Sequence, residues 1–292
     1  IHILTGLVLA RLGDVRTGLV AALFWFFNPV SLYVVPVMGQ FDGMVVLLTL
    51  LSLLTISKKP TFSGLLLGLG AALKTYPLLL LPFAAIVGGK NLWERIKIFL
   101  VGAIVPLLFW SAYLKTPEFY ESNLVSGLSQ RLYELKFQVG FGESIVVIPA
   151  TLVILLLYSI YHDLGKGENL YKYFFAVTFL VVTGSHFHPQ WVLWSMPFLA
   201  MIIVKKKMDL SIVSGSILLF LGYIFKVIFF DDKFLTWGIF SPLDPGILFL
   251  PTLPTLIKGV IDPNLVNSLW QTLMFSSGLW IVFLTLTKKN NE

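Results

Sequence analysis

Residues 17–56 read TGLVAALFWFFNPVSLYVVPVMGQFDGMVVLLTLLSLLTI. Two apolar runs, 17–36 and 43–56, flank the tetrapeptide Gly39-Gln40-Phe41-Asp42. About 20 apolar residues in a helix cross the hydrocarbon core of a bilayer, so runs of this kind read as membrane helices. Asp42 then sits at a span end, near a membrane surface. A carboxylate there is costly to hold away from water and is a functional candidate: a base, a metal ligand or a binder of hydroxyl groups. Asp is also a favoured helix N-cap, and Gly43 onward reads helical. The Gln40 amide next to it is a polar group that capping alone does not require.

Composition agrees with the membrane reading. Of 292 residues, 57% are hydrophobic and 12% charged, with mean hydropathy +0.87, where a soluble domain carries about 25% charged residues. The absence of cysteine removes disulfides, thiolate nucleophiles and thiolate metal sites, and four scattered histidines make no zinc pattern. The net charge of +6 lies in short clusters between apolar runs, a pattern of membrane topology rather than of a nucleic-acid surface. Residues 1–10 read as the tail of an apolar segment rather than a cleavable signal, so the expectation is a chain that starts part-way into a longer protein.

Further apolar spans fall at 61–73, 77–87, 98–113, 144–161, 173–185, 191–204, 210–230 and 269–286. The expected fold class is all-α: a polytopic transmembrane helical bundle of about ten helices, forming a single domain over 1–292. If the spans alternate across the bilayer, fourteen of the 21 Lys and Arg fall in short loops on one face, which marks that face as cytoplasmic. Gln40, Asp42, Lys74, the 186–190 segment and the loops 114–143 and 231–247 then reach the extracytoplasmic side. The 114–143 loop mixes Glu118, Glu121, Arg131, Glu134 and Lys136 with Leu and Phe, so an amphipathic helix on the membrane is expected within it.

Two further segments carry chemistry. The stretch 61–87 is broken by Lys74-Thr75-Tyr76-Pro77 into halves of roughly 20 and 16 Å, which reads as a short helical hairpin with Lys74 at its tip. An ammonium at that depth suits a lipid-linked phosphate; an ordinary snorkelling lysine would not need the break. In Ser185-His186-Phe187-His188-Pro189-Gln190-Trp191, two imidazoles and an amide can recognise a sugar or phosphate, and Trp191 and Trp194 offer faces for pyranose rings. The plain alternative is an interfacial belt of aromatic and polar side chains. Asp231-Asp232 is a nonspecific candidate for a divalent cation. No phosphate-binding glycine loop or nucleotide fingerprint is present, which argues against a soluble nucleotide donor.

Taken in order, Asn28-Pro29, Gly39-Gln40-Phe41-Asp42, Gly64 to Lys74-Thr75-Tyr76-Pro77, and His188-Pro189-Gln190 before an apolar span resemble a known pattern. It is similar to that of the integral-membrane glycosyltransferases of the GT-C class, particularly the polyprenyl-phosphate-mannose-dependent mannosyltransferases of family 87 and PIG-M-like type. The resemblance covers about residues 18–204. It implies an extracytoplasmic active site, a donor sugar (mannose favoured) on dolichyl or another polyprenyl phosphate, a lipid- or protein-linked acceptor, and inverting transfer among membrane lipids. By the same resemblance Lys74 and Tyr76 face the donor phosphate, and Gln40, His186, His188, Gln190 and Trp191 line the sugar or acceptor pocket. The family's usual catalytic acid lies in the first extracytoplasmic loop, and the chain is expected to begin after that loop. Asp42 is then the catalytic candidate within it. A secondary transporter is the main alternative, although its paired helix interruptions are not found here; a non-catalytic scaffold or flippase subunit is the other.

Overall fold

The computed structural model describes residues 1–12, 14–120, 128–230, 232–233 and 236–287. In chain order, α1 (His2–Leu9) leads to α2 (Val15–Phe27) and α3 (Pro29–Leu32), which continues as a π turn, Tyr33–Val37. Four longer helices follow: α4 (Asp42–Thr55), α5 (Pro60–Leu73), α6 (Pro77–Gly88) and α7 (Leu92–Ser111). Beyond them come the single turns α8 (Pro117–Tyr120) and α9 (Leu128–Arg131), then the strands β1 (Lys136–Gly140) and β2 (Glu143–Val146). The chain continues through α10 (Val147–Asp163), α11 (Leu170–Gly184), a 3-10 segment Pro189–Ser195, α12 (Met196–Lys205), α13 (Leu210–Ile228), α14 (Leu253–Ile257) and α15 (Pro263–Thr287). The class is all-α, as the apolar runs predict. By length and composition α13 and α15 can each cross a membrane, and α2 with its continuation to Val37 is a third such stretch, bent by 52°.

That bend interrupts the 17–36 run, so it is not one continuous helix. Asn28 precedes Pro29, whose ring disfavours helical backbone at the residue before it, and Asn28 is extended at φ −71°, ψ 144°. Its Nδ2 donates to the carbonyls of Phe24 at 2.9 Å and Trp25 at 3.2 Å, closing α2. Its Oδ1 accepts from the Ser31 amide at 2.9 Å, opening α3. One side chain therefore ends one helix and starts the next.

Two more boundaries differ from the sequence expectation. Ser144 lies in β2 rather than in a helix, because Glu143-Ser144-Ile145-Val146 pairs antiparallel with β1 across the turn Gly140-Phe141-Gly142. In 114–143, helical turns occur at Pro117–Tyr120 and Leu128–Arg131, while 121–127, with Glu121, lie outside the described residues. Lys288 and Lys289, two of the fourteen basic residues that the sequence places on the cytoplasmic face, also lie outside them.

The chain packs as two compact units, Ile1–Gly43 with His188–Glu292, and Met44–Phe187. In the first, α13 runs along α15 and α2 along α12, and the Trp25 indole donates to the His2 carbonyl at 3.0 Å. In the second, α5 crosses α7 where glycines remove the side chains between them: a Cβ on Gly64 would meet the Ile98 carbonyl oxygen at 2.5 Å, and one on Gly68 the Gly102 carbonyl oxygen at 2.8 Å. Small residues four apart let two helix backbones approach in this way where lipid gives no hydrophobic drive to association. Near the end of α5 the Trp110 indole of α7 donates to the Ala72 carbonyl at 3.4 Å. Helix α11 is buried on every side from Tyr173 to Thr183, as an interior helix of uniformly apolar sequence should be.

Candidate active site

The site in the first unit is built on the segment His188–Ser195. Pro189 at the first position favours a helical start, and the Tyr223 hydroxyl of α13 donates to the Pro189 carbonyl at 3.2 Å. The segment is 3-10, with three residues per turn, so side chains three apart eclipse one another. His188, Trp191 and Trp194 are three apart. Their rings form a column: His188 to Trp191 at 5.2 Å and Trp191 to Trp194 at 5.4 Å, the indoles nearly parallel at 25°. Across its base the Trp194 indole N–H donates to Asp42 Oδ1 at 2.7 Å, both residues being buried, with Asp42 0% exposed.

Asp42 reaches that position because α4 begins at Asp42 itself. The chain turns into α4 at Gly39, whose φ of +65° is a conformation that side-chain-bearing residues seldom adopt. The Gln40 backbone N–H donates to the Val34 carbonyl at 3.1 Å, which fixes the turn against the π segment. At the top of the column His188 Nδ1 donates to Gln190 Oε1 at 3.1 Å. The amide oxygen can only accept, so in the neutral ring Nε2 is left as an acceptor.

Of the residues expected from sequence, His188, Gln190 and Trp191 are joined by direct contacts, and Trp194 links them to Asp42 in the same unit, with Gln40 two residues before Asp42. Trp194 departs from expectation: it is 1% exposed and presents no face to a sugar, serving as the carboxylate's donor and Trp191's stacking partner. Trp191, His188 and Gln190 are each half-buried.

Lys74, Tyr76 and His186 belong to the second unit. The expected break is there: α5 ends at Leu73, Lys74 is extended at φ −154°, ψ 133°, and α6 starts at Pro77. Lys74 is half-buried, Tyr76 is 2% exposed and His186 is exposed. Of the Asp231-Asp232 pair, Asp231 lies outside the described residues. Among the described residues no group of three His, Asp or Glu is placed to hold a metal.

Sequence reasoning missed a second buried carboxylate. Asp163, at the end of α10 and 7% exposed, accepts from the Tyr173 hydroxyl at 2.6 Å and from Asn169 Nδ2 at 2.7 Å. The only signal in the sequence is an acid directly after an apolar run with a Tyr ten residues on, too common a pattern to single out.

Residues 1–204 match the family model of glycosyltransferase family 87. The chain belongs to glycosyltransferase family 87. No curated protein and no solved structure matches it. As a family 87 glycosyltransferase it uses a sugar donor and an acceptor, and its apolar helices make it a membrane protein. The sugar, phosphate and catalytic candidates named from sequence lie within the matched span, as do Asp163 and Tyr173, while Asp231-Asp232 and α13 to α15 lie beyond it.

Proposed function

We propose that this family 87 glycosyltransferase is a multi-pass GT-C-type enzyme. In this reading it transfers a hexose, mannose favoured, from a polyprenyl-phosphate donor to a lipid- or protein-linked acceptor at the extracytoplasmic membrane face. The observation that carries the reading is the fully buried Asp42 carboxylate at the base of the Trp194–Trp191–His188 column. Indole and imidazole rings with an amide are suited to orienting a pyranose, and a carboxylate is suited to taking the proton of an attacking hydroxyl.

In this mechanism an acceptor hydroxyl gives its proton to Asp42 while its oxygen attacks the sugar's anomeric carbon. The bond from that carbon to the phosphate oxygen breaks on the opposite side, so the anomeric configuration inverts. The leaving polyprenyl phosphate carries the negative charge away, and the Lys74 ammonium, with Tyr76 beside it, stabilises that charge as it develops. Gln40, His186, His188, Gln190 and Trp191 hold the sugar and acceptor. Because Asp42 is fully buried, an acceptor hydroxyl reaches it only once the groups that cover it rearrange, so binding and exposure of the base are coupled.

The test supplies radiolabelled polyprenyl-phosphate mannose to membranes containing the full-length protein, its Asp42→Asn variant or its Lys74→Ala variant. The expected result is a labelled lipid or protein product from the wild type, and loss of about 100-fold or more in each variant at unchanged protein level. Near-normal turnover in both variants would defeat the reading.

A further inference from the structure

At the far end of α12 from the tryptophan column lies a separate cleft of about 310 Å³ in the same unit, lined by Arg16, Thr17, Val20, Val204, Lys207 and Met208. Its two halves differ in chemistry. Arg16 and Thr17, from the first turn of α2, and Lys207, from the link between α12 and α13, supply a guanidinium, a hydroxyl and an ammonium. Val20, Val204 and Met208 supply an apolar wall.

The link is shaped to put Lys207 and Met208 there. Both have positive φ, 51° and 56°, in a left-handed region that residues with a Cβ seldom adopt. Their amides close the end of α12 on the Val204 and Ile203 carbonyls, at 2.9 and 2.8 Å. The first turn of α2 does not offer its backbone in the same way, because the Thr17 amide already donates to Asp14 Oδ1 at 2.9 Å. An anion in the cleft is therefore met by side-chain cations. The surroundings are those of a bilayer interface: Val15, Met208 and Leu210 are 88%, 55% and 79% exposed, and Lys205 and Lys206 directly precede Lys207.

We propose that this cleft binds the phosphodiester head of an anionic membrane phospholipid. Arg16 and Lys207 flank the phosphate, and Val20, Val204 and Met208 receive the first methylenes of the acyl chains; the Thr17 hydroxyl, like its amide, stays on the Asp14 carboxylate. A soluble phosphate would satisfy the cations but leave the apolar wall uncovered; a lipid satisfies both. The site is independent of sugar transfer, and its test does not use that activity.

Full-length protein in detergent is titrated with phosphatidylglycerol or phosphatidylcholine, and bound lipid is counted by native mass spectrometry. Phosphatidylglycerol should bind selectively, and the double substitution Arg16→Gln, Lys207→Gln should weaken it roughly tenfold to thirtyfold, as expected for two cations at a lipid surface. The charge-conserving pair Arg16→Lys, Lys207→Arg should retain binding, as should the control Lys58→Gln, Lys59→Gln. The single variant Lys207→Gln, in an exposed link, gives an intermediate loss and serves if the double variant aggregates. Equal binding of phosphatidylcholine, or undiminished phosphatidylglycerol binding by both Gln variants, overturns the proposal. Displacement of the lipid by millimolar inorganic phosphate assigns the cleft to a soluble anion and overturns it as well.

Discussion

Asp42 and Asp163 are both carboxylates withdrawn from water, one in each unit, and each accepts a hydrogen bond from an aromatic donor. Their positions on the helices are opposite. Asp42 opens α4, where the positive end of the helix dipole favours a negative charge; Asp163 closes α10, where the carbonyl end opposes one. Asp163 has a donor on each oxygen, a phenol and an amide, both from residues within ten positions in the chain. Its hydrogen-bond partners are local in the chain. Asp42 is held by an indole 152 residues away, in a column that ends in an imidazole and an amide. Burial of a carboxylate is thus shared by a structural tie and a candidate base, and the company each keeps is what separates them.

The sharpest way to break this comparison is Asp42→Asn. The isostere keeps an acceptor for the Trp194 indole, so thermal stability in detergent should hold while sugar transfer falls by about 100-fold or more. A fall in stability with turnover per folded molecule preserved would make Asp42 a tie like Asp163. The converse change, Asp163→Ala, strands a buried hydroxyl and an amide and should cost about 2–3 kcal/mol of stability. That loss would be read as earlier thermal loss of the monodisperse peak, with unchanged turnover of the surviving protein. Trp194→Phe keeps the ring column but removes the donor to Asp42, and should lower the transfer rate about tenfold, equivalent to ~1.4 kcal/mol. The smallest effect is expected from Tyr173→Phe, which removes one of the two donors to Asp163: a stability change of about 1 kcal/mol, and none in donor KM.

Much of the helical layout was legible because apolar runs and prolines punctuate it. The expected halves 61–73 and 77–87 become Pro60–Leu73 and Pro77–Gly88, and the break at Lys74 is where Pro77 and the polar tripeptide before it place it. The bend at Asn28 was less legible because apolar residues continue on both sides; the capping amide and the ring of Pro29 outweigh the run. The strand pair was hidden for a different reason. Phe137, Val139 and Ile145 are all exposed, so β1 and β2 bury no face whose alternation would betray them. In the site, His188, Gln190 and Asp42 stood out as polar groups at span ends, whereas Trp194 read as a sugar platform. Its actual contact depends on the three-residue turn of Pro189–Ser195, which apolar patterning cannot distinguish from an α-helix.

The glycine crossing of α5 and α7 has a mechanical corollary. Lys74 lies six residues beyond Gly68, about 9 Å along the axis, and the Trp110–Ala72 bond clamps the same end of α5 to α7. Where the ammonium stands is therefore governed by hydrogen atoms where other residues have methyl groups. A single added carbon at Gly64 or Gly68 would wedge the two rods apart and carry the cation with them, altering a charge at the helix tip without touching it.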